Sequence, residues 1–175
     1  MNLIELAKTR VMSGGSGGSG GGGGEDTFPA DKYFEGGYET VELPNAIKIK
    51  PYAFYEDTVL KKISMPKVTS IGSNVFVGTY LPFDKVIERV YIKDIEAWCS
   101  IDFERSSSNP LSMAENLFVN GKMVTDLVIP DGVTRIGKYA FAGFCHILSL
   151  TIPESVTTID DHAFHYCTNL SKVVI

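Results

Sequence analysis

Near the end of the chain His162, His165 and Cys167 stand close together, with Cys145 and His146 a little upstream. Imidazole nitrogens and thiolates are zinc ligands, and four of them converging in a tetrahedron make a structural site. His162 and His165 bracket Phe164, however, and an inward ring turns its flanking residues elsewhere, so solvated surface histidines account for the same pattern. Asp160-Asp161 could begin a calcium site, but that needs six or more oxygens, and a turn explains the pair. Gly14-Gly-Ser16-Gly-Gly18 satisfies the hydrolase pattern G-x-S-x-G, whose mechanism needs a strained strand-to-helix elbow that a glycine tract cannot hold. Gly132-Val-Thr-Arg-Ile-Gly137-Lys138-Tyr139 approaches a phosphate loop, but Tyr139 stands where Ser or Thr would bind magnesium. No catalytic, cofactor or metal constellation survives this reading, and the expectation is a protein without enzymatic activity.

The residues that defeat these motifs belong to a repeat. Pro130, Val133, Ile136, Phe141, Ile147, Leu150 and Ile152 recur as Pro153, Val156, Ile159, Phe164, Leu170, Val173 and Ile175, always 23 positions on. Two looser copies precede them, Leu43-Pro44 with Ala46, Ile49 and Phe54, and Met65-Pro66 with Val68, Ile71 and Phe76. A strand signal, apolar-x-x-apolar-x-apolar, occurs six times: Tyr38/Val41/Leu43, Leu60/Ile63/Met65, Ile87/Val90/Ile92, Val124/Leu127/Ile129, Ile147/Leu150/Ile152 and Leu170/Val173/Ile175. Its last two positions share one strand face and point inward. The proline that usually follows cannot donate to a ladder and ends the strand. The Ala-Phe pair then falls in the return segment, where each ring can stack on its copy in the next coil. Such a period predicts a solenoid in which no coil buries its apolar side without its neighbours.

The run Ile152-Pro153…Val156-Thr157…Ile159…Ala163-Phe164…Cys167…Leu170 resembles the BspA-like leucine-rich repeat of bacterial and protist surface proteins, closely over 127–175 and more loosely over 38–92. Phe144 and Asp57 stand where the motif prefers Cys, and Lys93 where it prefers Pro. The resemblance implies a right-handed repeat solenoid of short parallel β-strands with short or few helices, and an association with adhesion and host contact. The block 93–123 is similar to an insertion found among such chains, marked by Ala97-Trp98-Cys99, Asn109-Pro110-Leu111 and Asn120-Gly121.

Read in order, residues 1–12 form a short peg with Leu3, Ile4, Ala7 and Val11 at helical spacing. Residues 13–24 are a Gly/Ser-rich flexible linker whose ends lie roughly 18 Å apart as a random coil. That leader resembles those of some phage tail-associated proteins, and an engineered linker would read the same way. The solenoid occupies 25–175, its open N-terminal side capped by Phe28, Pro29 and Tyr33-Phe34, with a bulging loop at 79–85 and the irregular insert at 93–123. In the insert, Asp94 can cap a short helix carrying Ile95, Trp98 and Cys99 on one face, and Asn120-Gly121 suits a type I′ hairpin turn. Trp98 is the sole tryptophan; exposed it would suit a sugar, buried it would anchor the insert, and the buried placement is the expected one. Cys99, Cys145 and Cys167 read as free thiols in or near the core, since the alignment sets Cys167 against Phe144.

Net charge is −5, and Lys8 and Arg10 in the leader leave the remainder more acidic still. Nucleic acid and anionic membranes reward a positive stripe, so neither is an expected partner. No apolar run reaches membrane-spanning length, and Glu5 and Lys8 interrupt what would be a signal peptide. An extracellular, cell-surface or virion location would then need another export route or a longer native N-terminus. The function expected is non-enzymatic recognition of a protein or glycan on a host or neighbouring cell; the alternative is a structural spacer in a longer surface protein. Strand alternation turns Lys62, Arg89, Tyr91, Asp126, Thr151 and Lys172 outward in successive rungs, and these are the candidate contact residues. The last strand signal stops before its proline, which predicts either further repeats or burial of that open coil by self-association.

Overall fold

The structure, a computed structural model, describes residues 38–77 and 87–175, together with the backbone of β1 (Thr9–Val11) and β2 (Thr27–Phe28). It is a β-solenoid of about five turns with parallel strands and almost no helix. Each regular coil carries a three-residue strand and then a two-residue strand. In the first half these are β3 (Thr40–Glu42) with β4 (Lys48–Ile49), and β5 (Lys62–Ser64) with β6 (Ser70–Ile71). The insert region holds β7 (Ile87–Ile92), helix α1 (Ile95–Cys99), β8 (Ala114–Val119) and β9 (Lys122–Met123). The second half repeats the pair as β10 (Asp126–Val128) with β11 (Arg135–Ile136), β12 (Ser149–Thr151) with β13 (Thr158–Ile159), and finally β14 (Lys172–Val174).

The inward positions of the strand signal form columns. Val41, Ile63, Val90 and Leu117 are in register and buried, as are Leu127 and Leu150. Burying such a side chain is worth roughly 1.5–3 kcal/mol. The return segments stack as the spacing predicts: Phe54 lies on Phe76 at 5.5 Å and 3°, and Phe141 on Phe164 at 5.4 Å and 8°. These segments are not strands, yet their backbone is paired. Tyr52, Phe54 and Glu56 donate their N–H groups to Ser73, Val75 and Val77 of the next coil, as Tyr139, Phe141 and Gly143 do to Asp161, Ala163 and His165. Keeping that ladder while pointing Ala-Phe inward needs a left-handed residue just before the pair. Tyr52, Asn74, Tyr139 and His162 take that role, with φ between 53° and 63°, a region favourable only to glycine and tolerated best by Asn, Asp and His.

Two expectations change here. Thr9–Val11, inside the stretch whose spacing predicts a helix, is instead a strand pairing parallel with β3; a neighbouring strand takes the backbone groups that a helix would have bonded internally. The rest of the peg, the linker 13–24, the cap residues Pro29, Tyr33 and Phe34 and the loop 79–85 lie outside the described residues. The second change concerns the rungs, which fall into two separate sheets: β1-β3-β5-β7-β8-β9, and β10-β12-β14. Ala114, Leu117 and Val119 repeat the strand signal, and β8 pairs parallel with β7 as an additional rung. Past Asn120 and Gly121, both at positive φ, β9 returns antiparallel and ends that sheet.

The insert is the layer between the halves. Asp94 caps α1 by accepting from the Glu96 N–H at 2.8 Å, and Ile95, Trp98 and Cys99 are buried. Trp98 Nε1 donates to the Ala140 carbonyl at 2.7 Å, so the ring anchors the insert. Asn109, fully buried, donates to the carbonyls of Tyr139 and Ala140 at 2.7 and 2.9 Å and accepts from the Leu111 N–H at 2.9 Å. On the other side, Ser108 Oγ accepts from the Asn74 N–H at 3.1 Å. The fit is close enough to demand glycine: a Cβ at Gly137 would strike the Ile101 carbonyl, and one at Gly143 would stand 2.5 Å from Ser112 Cα.

Candidate functional site

The outward strand face is built by the same alternation that fills the core. Since Ile63 and Val90 point in, their neighbours point out, and parallel register sets Lys62 opposite Arg89 and Ser64 opposite Tyr91. The next rung adds Asn116 beside Arg89 and Phe118 beside Tyr91, the two rings stacking at 4.8 Å and 26°. Thr40, Glu42, Lys62, Ser64 and Tyr91 line a shallow depression of about 240 Å³. Of the predicted contact residues, Lys62, Arg89 and Tyr91 are therefore neighbours on one sheet. Asn116 and Phe118 were missed, although the strand signal through Leu117 would have revealed them.

Asp126, Thr151 and Lys172 lie on the other sheet. Asp126 and Lys172 flank Ser149 in register, and Thr151 lies between Val128 and Val174. The Asp126 carboxylate is engaged there, accepting from the Ser149 hydroxyl and from Thr125 Oγ1. Val128 and Val174 are exposed on this face.

The motifs weighed for chemistry are accounted for by the repeat. His162 stacks on Tyr139 at 5.0 Å and 9°, and His165 meets His162 edge-on at 4.9 Å. Cys167 donates its thiol to the Phe141 carbonyl at 3.2 Å, and burial pushes its pKa up to about 11. Cys99 is pushed up to about 12 by burial, then by Asp94 and Glu96. None of the three cysteines forms a disulfide, and the two raised ones hold their protons at neutral pH, which disfavours the thiolate that metal binding and nucleophilic attack require. Among the described residues no group of three or more His, Cys, Asp or Glu side chains is placed to hold a metal. Arg135, in the stretch that mimics a phosphate loop, is instead clamped by Asp102 at 2.6 Å and by Asp160. The same residues line a larger open depression of about 530 Å³ with Glu104, Lys138 and Asp161. No described helix is long and apolar enough to cross a membrane.

A solved leucine-rich repeat protein from Bacteroides ovatus is similar over 77% of this chain and 37% of its own, at 22% identity and a TM-score of 0.37. The chain thus spans little more than a third of that protein's length. No curated protein matches it. The sequence pattern of the BspA type leucine rich repeat region, in 6 copies, matches residues 32–109 and 93–175, most of the chain, and the protein belongs to that family.

Proposed function

We propose that this chain is a non-enzymatic recognition module, adhesin-like or phage tail-associated, that grips a protein or glycan through its outward strand face. Repeat families of this kind are typically non-catalytic and often surface-associated, and solenoids offer extended faces for contact. The observation that carries the reading is the cluster on β5, β7 and β8. Lys62, Arg89, Tyr91 and Phe118 sit in register beside a depression, and Arg and Tyr dominate binding hot spots. The second sheet, with Asp126, Thr151 and Lys172, extends the contact area. The partner sits on a host or neighbouring cell, and the module acts outside the cell or on a virion.

The test is binding of tagged protein to intact candidate host cells. Alanine at both Arg89 and Tyr91 is expected to abolish it; unchanged binding would move the site to the loop 79–85 or the insert. A structural spacer would bind no cell in either form.

A further inference from the structure

Resting on that reading, we infer that the cluster recognises an acidic side chain of a protein partner, one carboxylate seated between Lys62 and Arg89. Lys62 and Arg89 face each other in register on adjacent strands, which lie about 4.8 Å apart. Like charges directly opposite one another in a sheet are destabilising, so fold stability alone disfavours this pair. Glu42, diagonal to Lys62 on β3, is paired with neither cation. Among the described residues neither cation has an ion pair or side-chain hydrogen bond, whereas the neighbouring Lys61 is paired with Glu39 at 3.5 Å. The pair also stands against a chain whose net charge is −5. A carboxylate placed between the two strands would remove the repulsion and meet the planar fork of Arg89, which suits bidentate contact with carboxylate oxygens.

The surroundings select the kind of acid. Glu42, the only carboxylate among the described residues that line the depression, stands on β3, across Ser64 from Tyr91. A polyanion such as a sulfated glycan would carry further charges over Glu42 and be repelled more strongly than a single Asp or Glu side chain, which meets Glu42 with one charge only. The depression beside the pair, lined by Lys62 and Tyr91 but not by Arg89, is about 240 Å³, below the ~300–1,000 Å³ of small-ligand pockets, and has room for one side chain reaching past it to Arg89. One face of the Tyr91 ring is covered by Phe118, so the pair serves as an apolar rim beside the charge.

The probe is an array of immobilised random peptides, with a glycan array in parallel, each exposed to the full chain. Wild type is expected to select peptides enriched in Asp and Glu. For these peptides Lys62→Gln/Arg89→Gln should raise the half-saturating concentration about tenfold or more, and Glu42→Gln should lower it. Opposite signs from two outward-facing substitutions cannot come from misfolding. Absence of acidic enrichment, absence of any peptide binding, or an unchanged selection by the double variant would overturn the inference. So would binding confined to acidic glycans, which would reassign the pair to another class of partner. If acidic enrichment fails while Arg89→Ala/Tyr91→Ala still abolishes cell binding, the recognition reading stands and the carboxylate assignment falls. If the peptides behave as expected and cell binding survives the alanines, the reverse holds.

Discussion

The two halves of the solenoid use one device in different states of repair. In the second half the coils repeat at 23 residues, with hydrogen bonds linking equivalent positions such as Thr157 to Thr134 and Ser171 to Leu148. In the first half the spacing is 22 between Tyr52 and Asn74, then 27 from Lys62 to Arg89 and again from Arg89 to Asn116. Among the described residues, all three buried polar or charged side chains, Asp57, Ser108 and Asn109, belong to the irregular half and its insert. Each is satisfied: Asp57, standing where the motif prefers Cys, accepts from the Val59 and Leu60 N–H groups at 2.8 and 3.0 Å. Regular sequence therefore marks a core held by hydrophobic columns, whereas departures from it mark places where polar groups hold the backbone. The strand face with the uncompensated cations is on the irregular half.

This contrast can be broken by mutation. Leu150 and Val173 occupy the same repeat position, but the first is 2% exposed and the second 51%. Leu150→Ala should cost about 2–5 kcal/mol in denaturant unfolding and Val173→Ala under about 1 kcal/mol; equal losses would mean that repeat phase, not the neighbouring coil, sets the energetics. Asn109→Ala leaves the half-buried Tyr139 carbonyl short of a donor and the Ala140 carbonyl with Trp98 Nε1 alone, and should cost roughly 1–3 kcal/mol. Because Asn109 joins the halves, its loss should also split a single melting transition in two, read by calorimetry.

Smaller effects sharpen the same comparison. Deleting residues 1–24 removes the strand that pairs with β3, and should lower the melting temperature by a few degrees, about 1 kcal/mol or so; an unchanged value would make the leader independent of the solenoid. The raised thiol pKa values of Cys99 and Cys167 lie above the ordinary value of 9.0, at about 12 and about 11. Their contribution to stability is complete below pH 9 and is lost as pH rises through 11 to 12. Stability should therefore fall over that window, less steeply in Cys99→Ala and Cys167→Ala, with no pH effect from either thiol near neutrality. Smallest of all, Lys62→Gln/Arg89→Gln should raise the melting temperature slightly at low salt, and the difference should vanish at high salt. Lys172→Gln on the second sheet should show no such salt dependence.

Much of this was legible. The apolar phase named the buried columns through Val41, Ile63, Val90, Leu127 and Leu150, and the Ala-Phe pairs named the stacked rings. Asp94, Trp98 and Asn120-Gly121 named the short helix, its buried anchor and the hairpin turn. The candidate contact residues were legible one strand at a time, as outward positions. Their division between two sheets was not, because alternation within a strand carries no information about which strand lies beside it. Nor did the pattern announce the left-handed Tyr52 and Tyr139, since tyrosine has no local preference for that region and is held there by hydrogen bonds to the next coil.

By itself the sequence determined the coil: its length, its inward residues, its rings and its turns, all properties of local spacing and side-chain size. The tertiary structure alone decided which equivalent residues are buried against one another, as Leu127 is against Leu150. It also decided that Lys62 faces Arg89, and that Asn109 reaches across to Tyr139 and Ala140. The physical reason is common to all three. Burial, charge repulsion and hydrogen bonding are pair properties, and in a solenoid the second member of each pair comes from another coil.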